Sequence, residues 1–197
     1  MNNWTIKGHT LEFLDQSHIY LIDGVKVSSV TQLLNRKFGK KYDGIPKEVL
    51  NKAAERGTQV HKAIECYCQG FDDGSSEVRD FKFLQRHYGF EAVENELPII
   101  LHFGGNLYAG RLDLILKINN GYAVADIKTT ATLDKEYLGH QLNLYRMGVE
   151  QSYDYKIDSL YGIHLKGGRR KFVSIPIKEE EWLLQSLMLN ETQTDTE

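Results

Sequence analysis

Residues 11–27, LEFLDQSHIYLIDGVKV, alternate apolar and polar positions around Asp15-Gln16 and Asp23-Gly24. A period of two broken by such turn formers predicts a small N-terminal β-meander. Ser28 or Ser29 then stands as an N-cap for a short helix, VTQLLNRK, through about Lys37. Pro46 opens a second helix, with Val49, Ala53, Val60, Ile64 and Tyr67 at helical spacing and Gly57 as a point of possible breakage. After the loop QGFDDGSS, Glu77 to Tyr88 returns to helical spacing, with Val78, Phe81, Leu84 and Tyr88 on one side. The period then reverts to two, and residues 91–102, 106–118 and 122–129 read as successive strands. From Thr132 or Asp134 a helix runs through about Val149, with Leu138, Leu142, Tyr145 and Val149 in register. Residues 157–165 and 171–177 are two more strands around Gly167-Gly168, and Trp182, Leu183 and Leu187 mark a last helix. Helices on either side of a central strand block predict an α/β sheet covered on both faces.

Within that block one segment breaks the apolar pattern. GRLDLILKINNGYAVADIKTT, residues 110–130, puts Asp113, Asp126 and Lys128 into runs that otherwise read as buried strand. Asn119, Asn120 and Gly121 tolerate positive φ and predict a tight hairpin. A turn at Asn119-Asn120 sets Asp113 opposite Asp126, and a turn at Asn120-Gly121 sets it opposite Lys128. Either register leaves all three on one face, because strand side chains alternate. Opposed Cβ atoms lie about 5 Å apart. Two buried carboxylates at that distance repel, so a cation must offset them. Lys128 supplies one charge, and a divalent metal that prefers oxygen ligands, Mg²⁺ or Mn²⁺, would supply two. The bland alternative is an edge hairpin whose Asp and Lys meet water or form a salt bridge.

The remaining composition narrows the classes. The 197 residues fit one domain, over 1–190, with residues 191–197 as an acidic flexible tail. Hydrophobic content of 41% and charged content of 26% suit a globular chain. No stretch approaches the roughly 18 apolar residues of a membrane span. MNNWTIKGHT lacks the layout of a signal peptide, so a cytoplasmic protein without membrane partners is expected. Cys66 and Cys68 point to different sides of a helix, which argues against a disulfide or a thiol-based metal site. A net charge of −3 gives no global case for nucleic acid, yet NRKFGKKY (35–42) and KGGRRK (166–171) are local basic clusters. Lys40, Lys41, Arg169 and Arg170 are their candidate phosphate contacts, with Arg111 a further one.

Two more pairs carry chemistry. His61 and Glu65 share a helix face in ERGTQVHKAIE, and Gln141 and Tyr145 share one in GHQLNLY, on the helix that follows DIKTT. Gly57 with His61, Gly110-Arg111-Leu112-Asp113, Asp126-Ile127-Lys128, and Gln141 with Tyr145 occur in that order over about residues 55–146. Together they resemble the PD-(D/E)XK nuclease superfamily, in its RecB-like branch. That branch has a G-x-x-x-H helix, a GxxD strand, a (D/E)xK strand and a Q-x-x-x-Y helix. The opening HIYLIDGVKVSSVTQLL is also similar to the N-terminal region of phage exonucleases and the mitochondrial genome maintenance exonuclease.

The resemblance implies a restriction-endonuclease-like mixed sheet and a Mg²⁺- or Mn²⁺-dependent deoxyribonuclease. An exonuclease acting on DNA ends is expected first, with single-stranded DNA among its candidate substrates. A nicking or structure-specific endonuclease, or a non-catalytic DNA-binding or assembly module, is the alternative. It implies that Asp113, Asp126 and the Ile127 carbonyl hold the metal, completed by His61, with Glu96 as a further acid and Glu94 its competitor. Lys128 would position the attacking water and stabilise phosphate charge, and Gln141 and Tyr145 would brace the site. Relatives that bind an iron–sulfur cluster use four cysteines, so no such cluster is expected here. DNA is the implied partner, together with a recombinase, single-strand-binding protein or helicase, in the cytoplasm of a bacterial or phage-infected cell. Asp126→Ala or Lys128→Ala is expected to abolish cleavage and keep the fold.

Overall fold

The computed structural model describes residues 2–42 and 44–188. The chain begins with β1 (Asn2–Ile6), β2 (His9–Leu14), β3 (Ile19–Ile22) and β4 (Val25–Ser29), then α1 (Val30–Phe38) and a 3-10 turn (Gly39–Tyr42). Two helices follow, α2 (Lys47–Cys68) and α3 (Ser76–Tyr88). The long strands β5 (Glu91–Phe103), β6 (Asn106–Ile118) and β7 (Gly121–Lys128) lead to α4 (Lys135–Ser152). Strands β8 (Ile157–Lys166) and β9 (Arg169–Ile175) and helix α5 (Glu180–Met188) complete the described chain.

The nine strands form one mixed sheet in the order β1-β2-β3-β4-β6-β7-β8-β9, with β5 paired to β6. Most pairs are antiparallel, while β4–β6 and β7–β8 are parallel. The expected α/β sheet with helices on both faces and an N-terminal meander is the observed architecture. The expected meander spans residues 1–27 and has four strands, since β1 pairs with β2 through Trp4↔Leu11 ahead of the segment whose alternation is clearest. The meander is also not separate, since Ser28 and Ser29 of β4 pair with Tyr108 and Ala109.

Side chains sort onto two faces. Helices α1, α4 and α5 cover one, where Leu34, Leu142 and Leu183 meet Ile99, Ile115 and Leu160. Helices α2 and α3 cover the other, where Ile64 and Phe81 meet Leu114, Ala125 and Ile163. Helix starts are capped as the sequence suggests. Ser29 and Gln32 form a reciprocal capping box on α1, and Asp134 accepts from the Tyr137 amide on α4.

Helix α2 runs unbroken through Gly57 for 22 residues, contrary to the possible break. A mid-helix glycine costs about 1 kcal/mol, less than packing supplies. Its bare Cα also fits close contact, since a Cβ there would meet Thr129 Oγ1 at 3.4 Å, at the end of β7. No helix among the described residues is long and apolar enough to cross a membrane. The expected acidic tail, 191–197, lies outside the described residues.

Candidate functional site

The β6–β7 hairpin takes the first of the two registers. Asn119 and Asn120 both have positive φ, at 50° and 64°, and Ile118 pairs with Gly121. Pairing continues to Leu114↔Ala125 and stops one step short of Asp113 and Asp126. The stop has a topological cause. A strand has two edges, and β5 takes one edge of β6 from Asn106 to Lys117. On the other edge β4 holds Tyr108 and Ala109, and β7 holds Leu114 to Ile118. Residues 110–113 lie in the gap between them, with their edge open.

Both long strands turn over at this gap. Leu112 packs with the α4 side and Leu114 with the α2 side, although they are two residues apart. On β5 the change falls at Glu96, whose φ of 50° is rare for a non-glycine residue inside a strand. Asn95 lies opposite Leu114 and Leu97 opposite Leu112, so Glu96 stands across from Asp113. A second irregularity between Ala92 and Glu94 shifts the register further up β5. Glu94 and Glu96 therefore part company despite equal parity: Glu94 accepts the Tyr155 hydroxyl at 3.2 Å, away from the gap.

Around Asp113 the polar atoms converge. Its Oδ2 accepts from the Ile127 amide at 2.7 Å, and its Oδ1 lies 3.4 Å from His61 Nδ1. His61 Nε2 is 2.9 Å from the Ile127 carbonyl, which it meets as a donor. Ligand atoms of His61, Glu96 and Asp113 all lie within 4.8 Å of one another, a spacing that could hold a cation. Glu96 is also tied to Arg111, Nε to Oε2, at 2.7 Å. Asp126 stands behind this group rather than in it. It is 3% exposed, and Lys128 Nζ lies 2.6 Å from its Oδ2 and 2.9 Å from Gln141 Oε1. Oδ2 of Asp126 is buried, and the Lys128 ammonium is the charge that answers it.

The electrostatics follow from crowding. Burial opposes the His61 imidazolium, but Asp113, aided by Asp126, outweighs it and raises the pKa to about 9. Both ring nitrogens then carry protons, which suits one oxygen partner on each side. Burial pushes the Asp113 carboxyl up, and the His61 and Lys128 cations pull it below the ordinary value. Burial raises Asp126, with Asp113 adding to it and Lys128 opposing. Glu96 is raised by burial and by Asp113, against the pull of Arg111. Burial disfavours the Lys128 ammonium, yet its two aspartates raise its pKa. Three carboxylates, Asp113, Asp126 and Glu96, face three cations, His61, Lys128 and Arg111, so loss of the His61 proton would leave an oxygen-rich donor set with the excess negative charge that a hard cation neutralises.

The gap opens into a cavity of about 670 Å³. Its walls include His61, Glu65 and Asp113 on one side and Phe13, Tyr20 and Gln32 on another. The second wall comes from the meander and α1, whose residues carry no spacing relation to Asp113 in the sequence. Tyr145 is buried against β6: a Cβ on Gly110 would sit 2.9 Å from its ring. Glu65 reaches the cavity but is held by Lys62 at 2.9 Å.

The basic candidates disperse. Lys41 pairs with the Asp134 cap of α4, and the Lys40 side chain lies outside what the structure describes. Arg169 and Arg170 are adjacent in β9 and so face opposite ways. Arg170 turns to Asp80 of α3. Of the basic residues named from the sequence, Arg111 borders the cavity.

No protein-family model matches the chain, and no curated protein matches it. Among solved structures the fold is similar to the crystal structure of SSO0001, with a TM-score of 0.50 and 18% identity, covering 85% of this chain and 76% of that one. At that identity the likeness shows the fold alone.

Proposed function

We propose that the chain is a divalent-metal-dependent deoxyribonuclease of the PD-(D/E)XK type, in the RecB-like branch, which hydrolyses phosphodiester bonds at DNA ends. One observation carries the reading: Asp113, Glu96 and His61 converge beside the Ile127 carbonyl, at an opening in the sheet backed by the Asp126–Lys128 pair. These four groups, once His61 has given up a ring proton, would hold Mg²⁺ or Mn²⁺ together with Asp126, the second aspartate of the set. When bound, the metal would polarise the phosphate and lower the pKa of its water.

The chain's own residues supply the rest. Attack of water on phosphorus breaks the bond to the leaving oxygen and builds negative charge on the phosphoryl group. Lys128 is a fixed cation for that charge, held between Asp126 and Gln141 so that it need not reorganise. Tyr145 closes the floor under Gly110 and braces the strand that carries Asp113. Arg111 holds Glu96 toward the cavity and offers a cation to the incoming strand. Exclusion of water by the surrounding core strengthens each of these charge effects.

The test is a comparison of end-labelled linear DNA with closed circular DNA in Mg²⁺, Mn²⁺ and EDTA. Loss of linear DNA alone, with metal only, is the expected result. Nicking of the circles at a matching rate would reassign the chain as an endonuclease. Tight binding without hydrolysis in either metal would leave a DNA-binding module and remove the enzyme.

A further inference from the structure

Helix α3 turns a second kind of surface away from the core. Arg79, Phe83, Arg86 and His87 follow one another at spacings of four, three and one, so they share a helix face. Phe83 remains 45% exposed, a large apolar ring with no core to enter. The Arg170 guanidinium lies 3.8 Å over that ring and is fixed there by Asp80 at 2.6 Å. His87 lies parallel to Phe83, with centroids 5.7 Å apart and planes 11° apart. These side chains and Lys82 wall a cleft of about 760 Å³ that shares no residue with the cavity beside Asp113. Four permanent cations there face one carboxylate, Asp80, and the cleft stays positive even with Asp72, which meets Lys82 at 2.7 Å. This occurs on a chain whose net charge is −3.

We infer that this cleft between α3 and β9 binds single-stranded nucleic acid, with a base stacked on Phe83 and His87 and flanking phosphates on Arg79 and Arg86. Cations alone would suit any polyanion. Parallel exposed rings add a demand for a flat π surface, and an unpaired base offers one on every nucleotide. An acidic peptide leaves the rings unused, and a duplex keeps its bases stacked inside. Arg170 is already neutralised by Asp80 and serves as the back of the stacking platform, while Arg79 and Arg86 are exposed. The inference rests on the proposed DNA reading for its choice of occupant, and extends it with a holding site outside the catalytic cavity.

The test uses the full chain in EDTA, where cleavage cannot intervene, and follows the anisotropy of fluorescein-labelled oligo(dT). Phe83→Ala is expected to weaken binding about tenfold while keeping the slope of log affinity against log salt, because it removes stacking and no phosphate contact. Arg86→Glu is expected to weaken binding and reduce that slope by about 1. Both positions are exposed, and circular dichroism verifies that each variant folds. Wild-type affinity in both variants overturns the proposal. So does polyglutamate competing as well as oligo(dT), or a duplex binding as tightly with the same dependence on Phe83. Cleavage in Mn²⁺ of an oligonucleotide too short to span both sites separates the two readings. If Phe83 governs binding and no cleavage occurs, the cleft stands and the nuclease fails; cleavage with Phe83-independent binding gives the reverse.

Discussion

Glu96 is the residue where backbone and chemistry conflict. Its φ of 50° costs on the order of 1 kcal/mol for a side chain with a Cβ, and glycine would avoid that cost. Its carboxylate is moreover held beside Asp113, which burial already penalises. Glu96→Gly is therefore expected to leave the metal-free fold as stable as wild type, or more stable by about 1 kcal/mol, in urea denaturation. The same variant should bind Mn²⁺ at least tenfold more weakly by calorimetry; equal affinity would remove Glu96 from the site. Strand parity made Glu96 and Glu94 equivalent because alternation is blind to one positive φ, at Glu96. Asp113, Asp126 and Lys128 were legible for the opposite reason. Charges inside an apolar run violate the pattern, and the Asn119-Asn120 turn fixes their placement. What could not be read was the division of labour, with Asp113 beside His61 and Asp126 bound to Lys128. That buried pair also alters how mutants behave. Asp126→Ala strands an ammonium and is expected to destabilise by about 3 kcal/mol or more. Asp126→Asn keeps an oxygen on Lys128 and is the cleaner probe.

Among the elements, α4 ties the site to the core from both ends. Gly110 of β6 admits the Tyr145 ring, and Gly148 of α4 lies so close to β5 that a Cβ would clash with Ile99 Cδ1. Gly110→Ala is expected to cost about 1 to 3 kcal/mol by chemical denaturation, since a buried aromatic ring must move. An unchanged midpoint would mean that Tyr145 is not seated against the strand. At the other face of α4, His140 donates from Nδ1 to the Glu136 carbonyl at 2.8 Å and lies 2.6 Å from the Ser186 hydroxyl of α5 through Nε2. Lys37 faces it across the same hydroxyl, with Glu136 and Asp134 nearby, and burial first and Lys37 second hold its pKa below the ordinary value. A histidine with a depressed folded pKa contributes stability that is present above its unfolded value, about 6.5, and lost as pH falls below it. Acidification from pH 7 to 5 should therefore loosen α5, seen as a change in the fluorescence of Trp182, which lies 4.7 Å from the His140 ring. His140→Gln should flatten that transition. Helical periodicity gave α4 and α5 from the sequence, but their mutual seating depends on His140 and Ser186, 46 residues apart, and no local pattern reports it.

At the scale of the whole molecule, the sheet's branching at β6 creates the function proposed here. One strand carries β5 along one edge and divides the other between β4 and β7, and the acids stand in the division. The strand and helix order was legible because both periods are long and well separated. The branching was not, because a parallel contact of two residue pairs between β4 and β6 leaves no trace in either strand's pattern. The N-terminal meander consequently supplies one wall of the cavity, so deletion of residues 2–24 is expected to remove substrate binding as well as stability. The central claim meets its most direct test in the release of acid-soluble nucleotides from linear DNA by wild type and by folded Asp126→Asn. Hydrolysis by wild type in Mg²⁺ or Mn²⁺, abolished by EDTA and reduced at least a hundredfold in the variant, is the predicted result. Turnover by Asp126→Asn equal to wild type, or no hydrolysis by folded wild type in either metal, would contradict it.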